Sequence, residues 1–264
     1  MSSITSKDGT QIAYKVTGQG PALILVPGAL ALADSFTALA QELAGHFTVY
    51  TLERRGRGES GPQGADYAIT REIEDLQALQ AKTGAAFGFG HSFGGFLFLE
   101  TARKNAAFAK IAVYDPGVSI DGSINMGWIP RCTKELERKK YHDALTTFVQ
   151  GLDPKSGNLP HWALAQILKI VMKKSEREQK YPLLAGTIRE HNEEAKLNNT
   201  FEHYSEISAR VLLMCSDWPV AANTITKLAS VIPHSLTITF SELNHLGPEE
   251  KPLLIAQNLI KFYE

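Results

Sequence analysis

A serine hydroxyl attacks a carbonyl only when it is held clear of its own backbone and a base is ready to take its proton. Ser92 meets the first condition. It lies at the centre of Gly90-His91-Ser92-Phe93-Gly94, a G-x-S-x-G string. In a chain with 21 glycines the string alone says little. Its setting says more: the short apolar run Ala85–Phe89 leads into it, and a second apolar stretch, Phe93–Ala102, leads out. Strand, tight turn and helix form the elbow that lifts a nucleophile above the carboxyl end of a sheet, near the positive end of a helix dipole. The flanking glycines let strand and helix approach closely.

His245 is the best placed of the eight histidines to act as base, since it follows a late strand and precedes the last helix. His91 adjoins Ser92, but a neighbour in a tight turn points away from it, so packing or pocket lining is its expected role. His142, His161, His191 and His203 fall in a helical middle segment and read as surface residues. Two aspartates compete to orient the imidazole. Asp217, in Cys215-Ser216-Asp217-Trp218-Pro219, precedes His245 by 28 residues, and Asp115 follows Ser92 by 23. Asp217 is the preferred partner and Asp115 the alternative, the other being a helix or loop cap.

These residues need a scaffold, and the hydrophobic pattern describes one. Ala22–Val26, Phe47–Leu52, Ala85–Gly90 and Lys110–Tyr114 are short apolar runs separated by amphipathic stretches, the rhythm of a parallel sheet with crossover helices. Thr70 is placed to cap a helix carrying Ile73, Leu76 and Leu79 on one face. From about Val118 to Ser205 strand-like runs stop, and Arg131–Leu152, Trp162–Lys174 and Leu183–Ala195 read as helices. The strand rhythm returns at Val211–Cys215 and in the alternating Ser235–Phe240, before a last helix opening at Pro248. A helical lobe inserted into one α/β core is the expected organisation.

Composition narrows the functions. The 264 residues are 44% hydrophobic and 21% charged, ample for a large core. Lys and Arg (27) balance Asp and Glu (28), for a net charge of −1, which argues against nucleic acid as a partner. No run approaches the roughly 18–20 apolar residues of a membrane span, and the first nine residues lack the apolar stretch of a secretory signal. A cytoplasmic protein with no membrane partner is expected. Cys132 and Cys215 match no metal spacing and read as free thiols. The Arg138-Lys139-Lys140 and Lys173-Lys174 clusters read as solvated helix faces. Trp128 and Trp162 read equally well as substrate-entrance residues or as anchors of the lobe.

With Ser92 and His245 in place, the chain resembles the α/β-hydrolase-fold serine hydrolases over nearly its whole length apart from the variable cap. Asp8-Gly9-Thr10-Gln11-Ile12-Ala13-Tyr14 resembles that family's opening hairpin. Glu53-Arg54-Arg55-Gly56-Arg57-Gly58-Glu59-Ser60 resembles its D-x-R-G-x-G-x-S turn, with Glu53 in place of the aspartate, and this makes the three arginines a structural turn rather than an anion site. His245, Glu250 and Pro252 match its H-x4-E-x-P ending. The resemblance implies a mostly parallel sheet flanked by helices, residues 1–117 and 206–264 forming the core and 118–205 an inserted helical cap. It implies an oxyanion hole from the amides of Phe93 and of Ala29, in Pro27-Gly28-Ala29-Leu30. It implies a Ser92, His245 and Asp217 (or Asp115) triad that hydrolyses a small ester or lactone through an acyl-enzyme, with no metal or cofactor. Cleavage of C–C bonds or other carbonyl compounds on the same triad, and ligand binding without catalysis, stand as alternatives.

Overall fold

Leu23, Ile24, Leu25 and Val26 are all fully buried, and a strand with no polar side must be covered on both faces. The computed structural model describes the backbone of residues 1–264 and the side chains of all but 154, 155 and 219. It shows how the covering is done. β1 (Ser2–Thr5), β2 (Gln11–Thr17), β3 (Ala22–Val26), β4 (Thr48–Leu52), β5 (Phe87–His91), β6 (Lys110–Tyr114), β7 (Arg210–Cys215) and β8 (Ser235–Thr239) form one sheet among the described residues, in the order β1-β2-β4-β3-β5-β6-β7-β8. β1 and β2 pair antiparallel, as do β2 and β4, and every later pairing is parallel. This is the α/β-hydrolase fold.

Alternation assigns each side chain to a face. Ile24, Val26, Ile111, Val113, Val211 and Leu213 point to one side, where they meet α2 (Ile69–Thr83) and α3 (Phe93–Lys104). Leu23, Leu25, Ala112, Tyr114, Leu212 and Met214 point to the other, where α1 (Thr37–Leu43) covers them together with the C-terminal helix. Between β6 and β7 run α4 (Ile129–Glu137), α5 (Tyr141–Leu152), α6 (Pro154–Gly157), α7 (His161–Val171), α8 (Lys174–Lys180) and α9 (Leu184–Lys196), with no strand among the described residues. α10 (Pro219–Val231) follows β7, and α11 (Gly247–Glu250) and α12 (Pro252–Tyr263) end the chain. The inserted helices have their own small apolar centre, built on Trp128, Cys132, Ala144, Leu145, Leu183 and Leu184. Leu30 of the core joins it.

Several boundaries move for local reasons. The stretch 131–152 is two helices, because Lys139 adopts a left-handed φ of 57° between them. The last helix is divided at Lys251, ahead of Pro252. Thr70 does not cap α2, which starts one residue earlier; the Ile69 amide is met instead by Glu193 Oε2 of α9 at 3.2 Å. β8 lies at the sheet edge, so Leu236 is 51% exposed although its alternation suggested a core position.

Because β3 and β5–β8 are parallel, their carboxyl ends share one edge of the sheet. The chain leaves β3 for β4 on one side and returns to β5 on the other. Such a reversal opens a crevice at the strand ends, where open α/β sheets bind ligands. Close approach at this point depends on Gly94: a Cβ there would lie 2.2 Å from the carbonyl oxygen of Val26 and 2.7 Å from that of Pro27.

Gly94→Ala is therefore expected to destabilise the protein by about 1–3 kcal/mol, the usual penalty of overpacking. Gly45→Ala, where a Cβ meets nothing within 4 Å, should stay within about 0.5 kcal/mol of the parent. Urea midpoints of the two variants check the difference.

Candidate active site

Ser92 occupies the turn between β5 and α3 with φ 53° and ψ −121°. A non-glycine residue rarely adopts positive φ, and such strain persists only where the surroundings fix it. Here they do. The Ser92 amide donates to Tyr114 O at 2.9 Å, and its carbonyl accepts from the Phe96 and Gly117 amides at 3.1 and 3.0 Å. Phe93, first in α3, has one of the amides that a helix start leaves without an intrahelical acceptor.

The imidazole of His245 is held from two sides. Its Nδ1 lies 3.0 Å from Asp115 Oδ2, and its backbone carbonyl accepts from His91 Nε2 at 2.7 Å. With Nδ1–H donated to the carboxylate, Nε2 keeps its lone pair. His91 is buried, and burial pushes its pKa well down, so it serves as a neutral hydrogen-bond donor. Tyr114 Oη donates to Asn244 O at 2.8 Å, and Asn244 Nδ2 donates to Glu250 Oε2 at 3.0 Å, which fixes the loop before α11. The rings of His91 and His245 lie 4.7 Å apart. Ser92 and His245 are thus brought to one edge of the sheet, but among the described residues no hydrogen bond joins the hydroxyl to the imidazole. Such bonds commonly close only in the substrate complex.

Of the two candidate aspartates, Asp115, the alternative, is the one whose carboxylate lies within hydrogen-bond distance of the imidazole. Asp115 is buried, with φ 43°, and also accepts from Ser216 N at 2.9 Å and Ser216 Oγ at 2.7 Å. Ser216 in turn takes the Trp218 amide at 3.0 Å. The chain thereby turns at Ser216, leaving Asp217 exposed, its amide on Leu243 O at 2.9 Å. β6 lies between β5 and β7, so its end is the nearer to the elbow.

The loop after β3 lies across the elbow. A Cβ on Gly28 would come 3.0 Å from Ser92 Cβ, so only glycine fits there without displacing a neighbour. The Gly28 carbonyl accepts from Arg57 Nη1 at 2.8 Å and Arg54 Nη1 at 3.2 Å, and Arg57 Nη1 also reaches Ala31 O at 2.8 Å. Ala29 is half-buried. The three arginines of the turn are buried and paired: Arg54 with Glu72, Arg55 with Asp75 and Asp8, Arg57 with Glu190. They are structural, as the resemblance implies.

The partners from α9 have no signal in sequence. Glu190 accepts from Arg57 Nη2 through both oxygens, at 2.6 and 2.7 Å. Burial alone would raise its pKa; Arg54 and Arg57 outweigh burial and hold it at about 2. One turn on, Glu194 lies against the core, its Oε1 only 2.2 Å from where a Cβ of Gly117 would be. Its Oε2 is buried without a hydrogen-bond partner among the described residues, and burial, with the charge of Glu190, raises its pKa well above the usual range. His191, expected at the surface, is buried instead among Trp128, Phe148 and Phe93, and burial lowers its pKa. Trp128 thus anchors the inserted helices, while Trp162 is 73% exposed. A cavity of about 230 Å³ opens beside Trp218, lined also by Ser123, Asn125, Gln150 and Val220, and the Trp218 ring lies 5.0 Å from that of His245.

Comparison with known proteins places this arrangement. The profile described as the alpha/beta hydrolase family matches residues 23–257. N-formylmaleamate deformylase of Pseudomonas putida is 36% identical over 110 residues, 40% of this chain and 41% of that protein. A pimeloyl-acyl-carrier-protein methyl ester esterase of Xylella fastidiosa is 32% identical over 88 residues, 33% of each chain. The chain thus matches less than half the length of either curated relative. The crystal structure of an alpha/beta hydrolase from Sphaerobacter thermophilus superposes with a TM-score of 0.85 at 30% identity, over 100% of both chains.

Glu194 generates a pH prediction. A carboxyl whose pKa is raised on folding binds more protons in the native state, so its contribution to stability is lost as pH rises above the unfolded value of about 4.3. Glu194→Gln removes that loss. It should be more stable than the parent at pH 7.5, with the gain shrinking toward pH 4.5. Urea titrations at the two pH values measure it.

Proposed function

Since the chain belongs to the alpha/beta hydrolase family, we propose that it is a serine hydrolase, with Ser92 as nucleophile, His245 as base and Asp115 as the acid of the triad. The observation that carries this reading is the Asp115–His245 hydrogen bond, accepted by a fully buried carboxylate from a half-buried imidazole and set beside a serine held at positive φ on the neighbouring strand end.

The reaction follows from these positions. His245 Nε2 takes the Ser92 proton as Oγ attacks the carbonyl carbon. The oxyanion formed is met by the Phe93 and Ala29 amides. His245 then returns the proton to the leaving group, the acyl–oxygen bond breaks, and an acyl-Ser92 remains. Water, deprotonated by the same imidazole, releases the acid and restores the serine. Asp115 keeps the imidazole in the right tautomer and stabilises its charged form. Residues 118–205 form the cap over this site, and residues 1–117 and 206–264 the core.

A small ester or lactone is the substrate class this reading favours. The cavity beside Trp218, at about 230 Å³, is below the roughly 300–1,000 Å³ that drug-sized ligands occupy, and the side chains named above as lining it are uncharged. Acyl transfer to water is also the chemistry that the names of the deformylase and the methyl ester esterase describe.

A fluorophosphonate probe should label the protein once, at Ser92, and Ser92→Ala should remove the label. Label surviving that substitution would overturn the assignment of the nucleophile. On p-nitrophenyl acetate, Asp115→Asn should reduce turnover by on the order of 10⁴ while the fold is retained. Asp217→Asn should leave most of it, and the reverse ranking would return the acid to β7.

A further inference from the structure

A buried carboxylate from the helices inserted between β6 and β7 grips an arginine of the turn after β4. Glu190 of α9 is 1% exposed and Arg57 of the turn after β4 is 4% exposed, and they meet through two short bonds. The other terminal nitrogen of Arg57, Nη1, goes to the loop across the elbow, donating to the carbonyls of Gly28 and Ala31 at 2.8 Å each. Arg54 repeats the pattern at longer range, with Nη2 3.2 Å from Glu190 Oε2 and Nη1 3.2 Å from Gly28 O. Lys180 of α8 adds a donor to the carbonyl of Leu30 at 3.3 Å, and the Leu30 side chain is packed into the apolar centre of the inserted helices. Three carbonyls of this short loop therefore face cationic side chains, and α8 and α9 hold the far end of the arrangement.

The Gly28–Ala29 peptide is trans, as every peptide here is. In a trans peptide the C=O and N–H point in opposite directions. Pinning the Gly28 oxygen on the arginines thus sends the Ala29 N–H to the opposite side of the loop. That amide has no acceptor among the described residues. A Cβ on Gly28 would lie 3.0 Å from Ser92 Cβ, so this donor sits one residue from the point where the loop passes the nucleophile.

We infer that Glu190, acting through Arg57, is a positioning residue for the oxyanion donor, so that seating of the cap and competence of the oxyanion hole are one event. This rests on the serine hydrolase reading above. Glu190 touches no reacting atom. Its carboxylate fixes the guanidinium plane, the guanidinium fixes the Gly28 carbonyl, and the peptide plane carries that orientation to Ala29. An uncharged or shorter partner at 190 leaves the peptide free to rotate, with the cap still present. Substrate binding is then little changed, because the oxyanion exists only in the transition state.

The test is the inactivation of Ser92 by a fluorophosphonate, in which Oγ bonds to phosphorus, fluoride leaves and the phosphoryl oxygen occupies the oxyanion hole. In Glu190→Gln, the maximal inactivation rate should fall about 10–100-fold, with the half-saturating probe concentration within about threefold of the parent. Arg57→Lys, whose single nitrogen lacks the fork that places Nη1 on Gly28 and Ala31 and Nη2 on Glu190, should behave likewise. Asp75→Asn weakens the adjoining Arg55 ion pair without touching the loop. It is the control for stability alone and should label at the parental rate. Circular dichroism and urea midpoints show which variants are folded. A folded Glu190→Gln or Arg57→Lys that labels at the parental maximal rate overturns the inference, as does an equal loss in Asp75→Asn. If the parent itself is not labelled at Ser92, the hydrolase reading fails and the inference falls with it. That outcome is visible before any variant is measured.

Discussion

Three guanidinium groups are buried within four residues of one another, at Arg54, Arg55 and Arg57, and the arrangement of the elements around them follows from that. Removing an ion from water is unfavourable by several kcal/mol unless charge and hydrogen bonds replace the solvent. Each arginine here has that replacement, and each replacement comes from elsewhere in the chain: Glu72 and Asp75 from α2, Asp8 from the opening hairpin, Glu190 from α9. One turn thus ties together a core helix, the opening hairpin and an inserted helix. The remaining donors go to carbonyls of the loop after β3. Electrostatic satisfaction of the turn and the shape of the loop over Ser92 are the same set of bonds.

The sheet makes a complementary contribution. Parallel strands deliver Pro27, Ser92, Asp115 and Ser216 to one edge, neighbours level to within a residue, through the registers Val26 with Gly90, His91 with Tyr114 and Tyr114 with Met214. Two of the residues delivered, Ser92 and Asp115, have positive φ, as has Leu30 in the loop above them. Strain of roughly 1–3 kcal/mol at each such position is concentrated where the neighbours bond every backbone group of Ser92. The scaffold is therefore stiffest at the point where a hydroxyl has to be held out of its preferred conformation.

Much of this was legible in the residues. The buried strands announced themselves as continuous apolar runs, and Lys110–Tyr114 and Ala22–Val26 coincide with β6 and β3. The elbow was legible because a glycine-flanked serine between a strand and a helix is a local pattern. The hydrogen bond between Asp115 and the imidazole was not, because Asp115 and Asp217 both follow strands and nothing local marks that the Asp115 carboxylate is fixed by Ser216. Glu190, His191 and Glu194 were illegible for a related reason. On α9 they look like the polar side of an amphipathic helix, but Glu190 meets an arginine across 133 residues of chain, His191 lies among aromatic rings and Glu194 lies against Gly117. The helix period cannot distinguish a solvent-facing acid from one that faces a buried arginine.

The seam between the two lobes joins an apolar patch around Leu30, Trp128 and Leu184 to an ionic one around Arg57 and Glu190. These respond differently to heat. Apolar burial gains little per unit area on warming, whereas the hydration of charged groups grows less favourable, so keeping an ion pair dry becomes easier. Cooling reverses the balance and weakens apolar association as well. The contact that shapes the loop above Ser92 is thus the part of the seam that tightens, relative to its surroundings, as temperature rises.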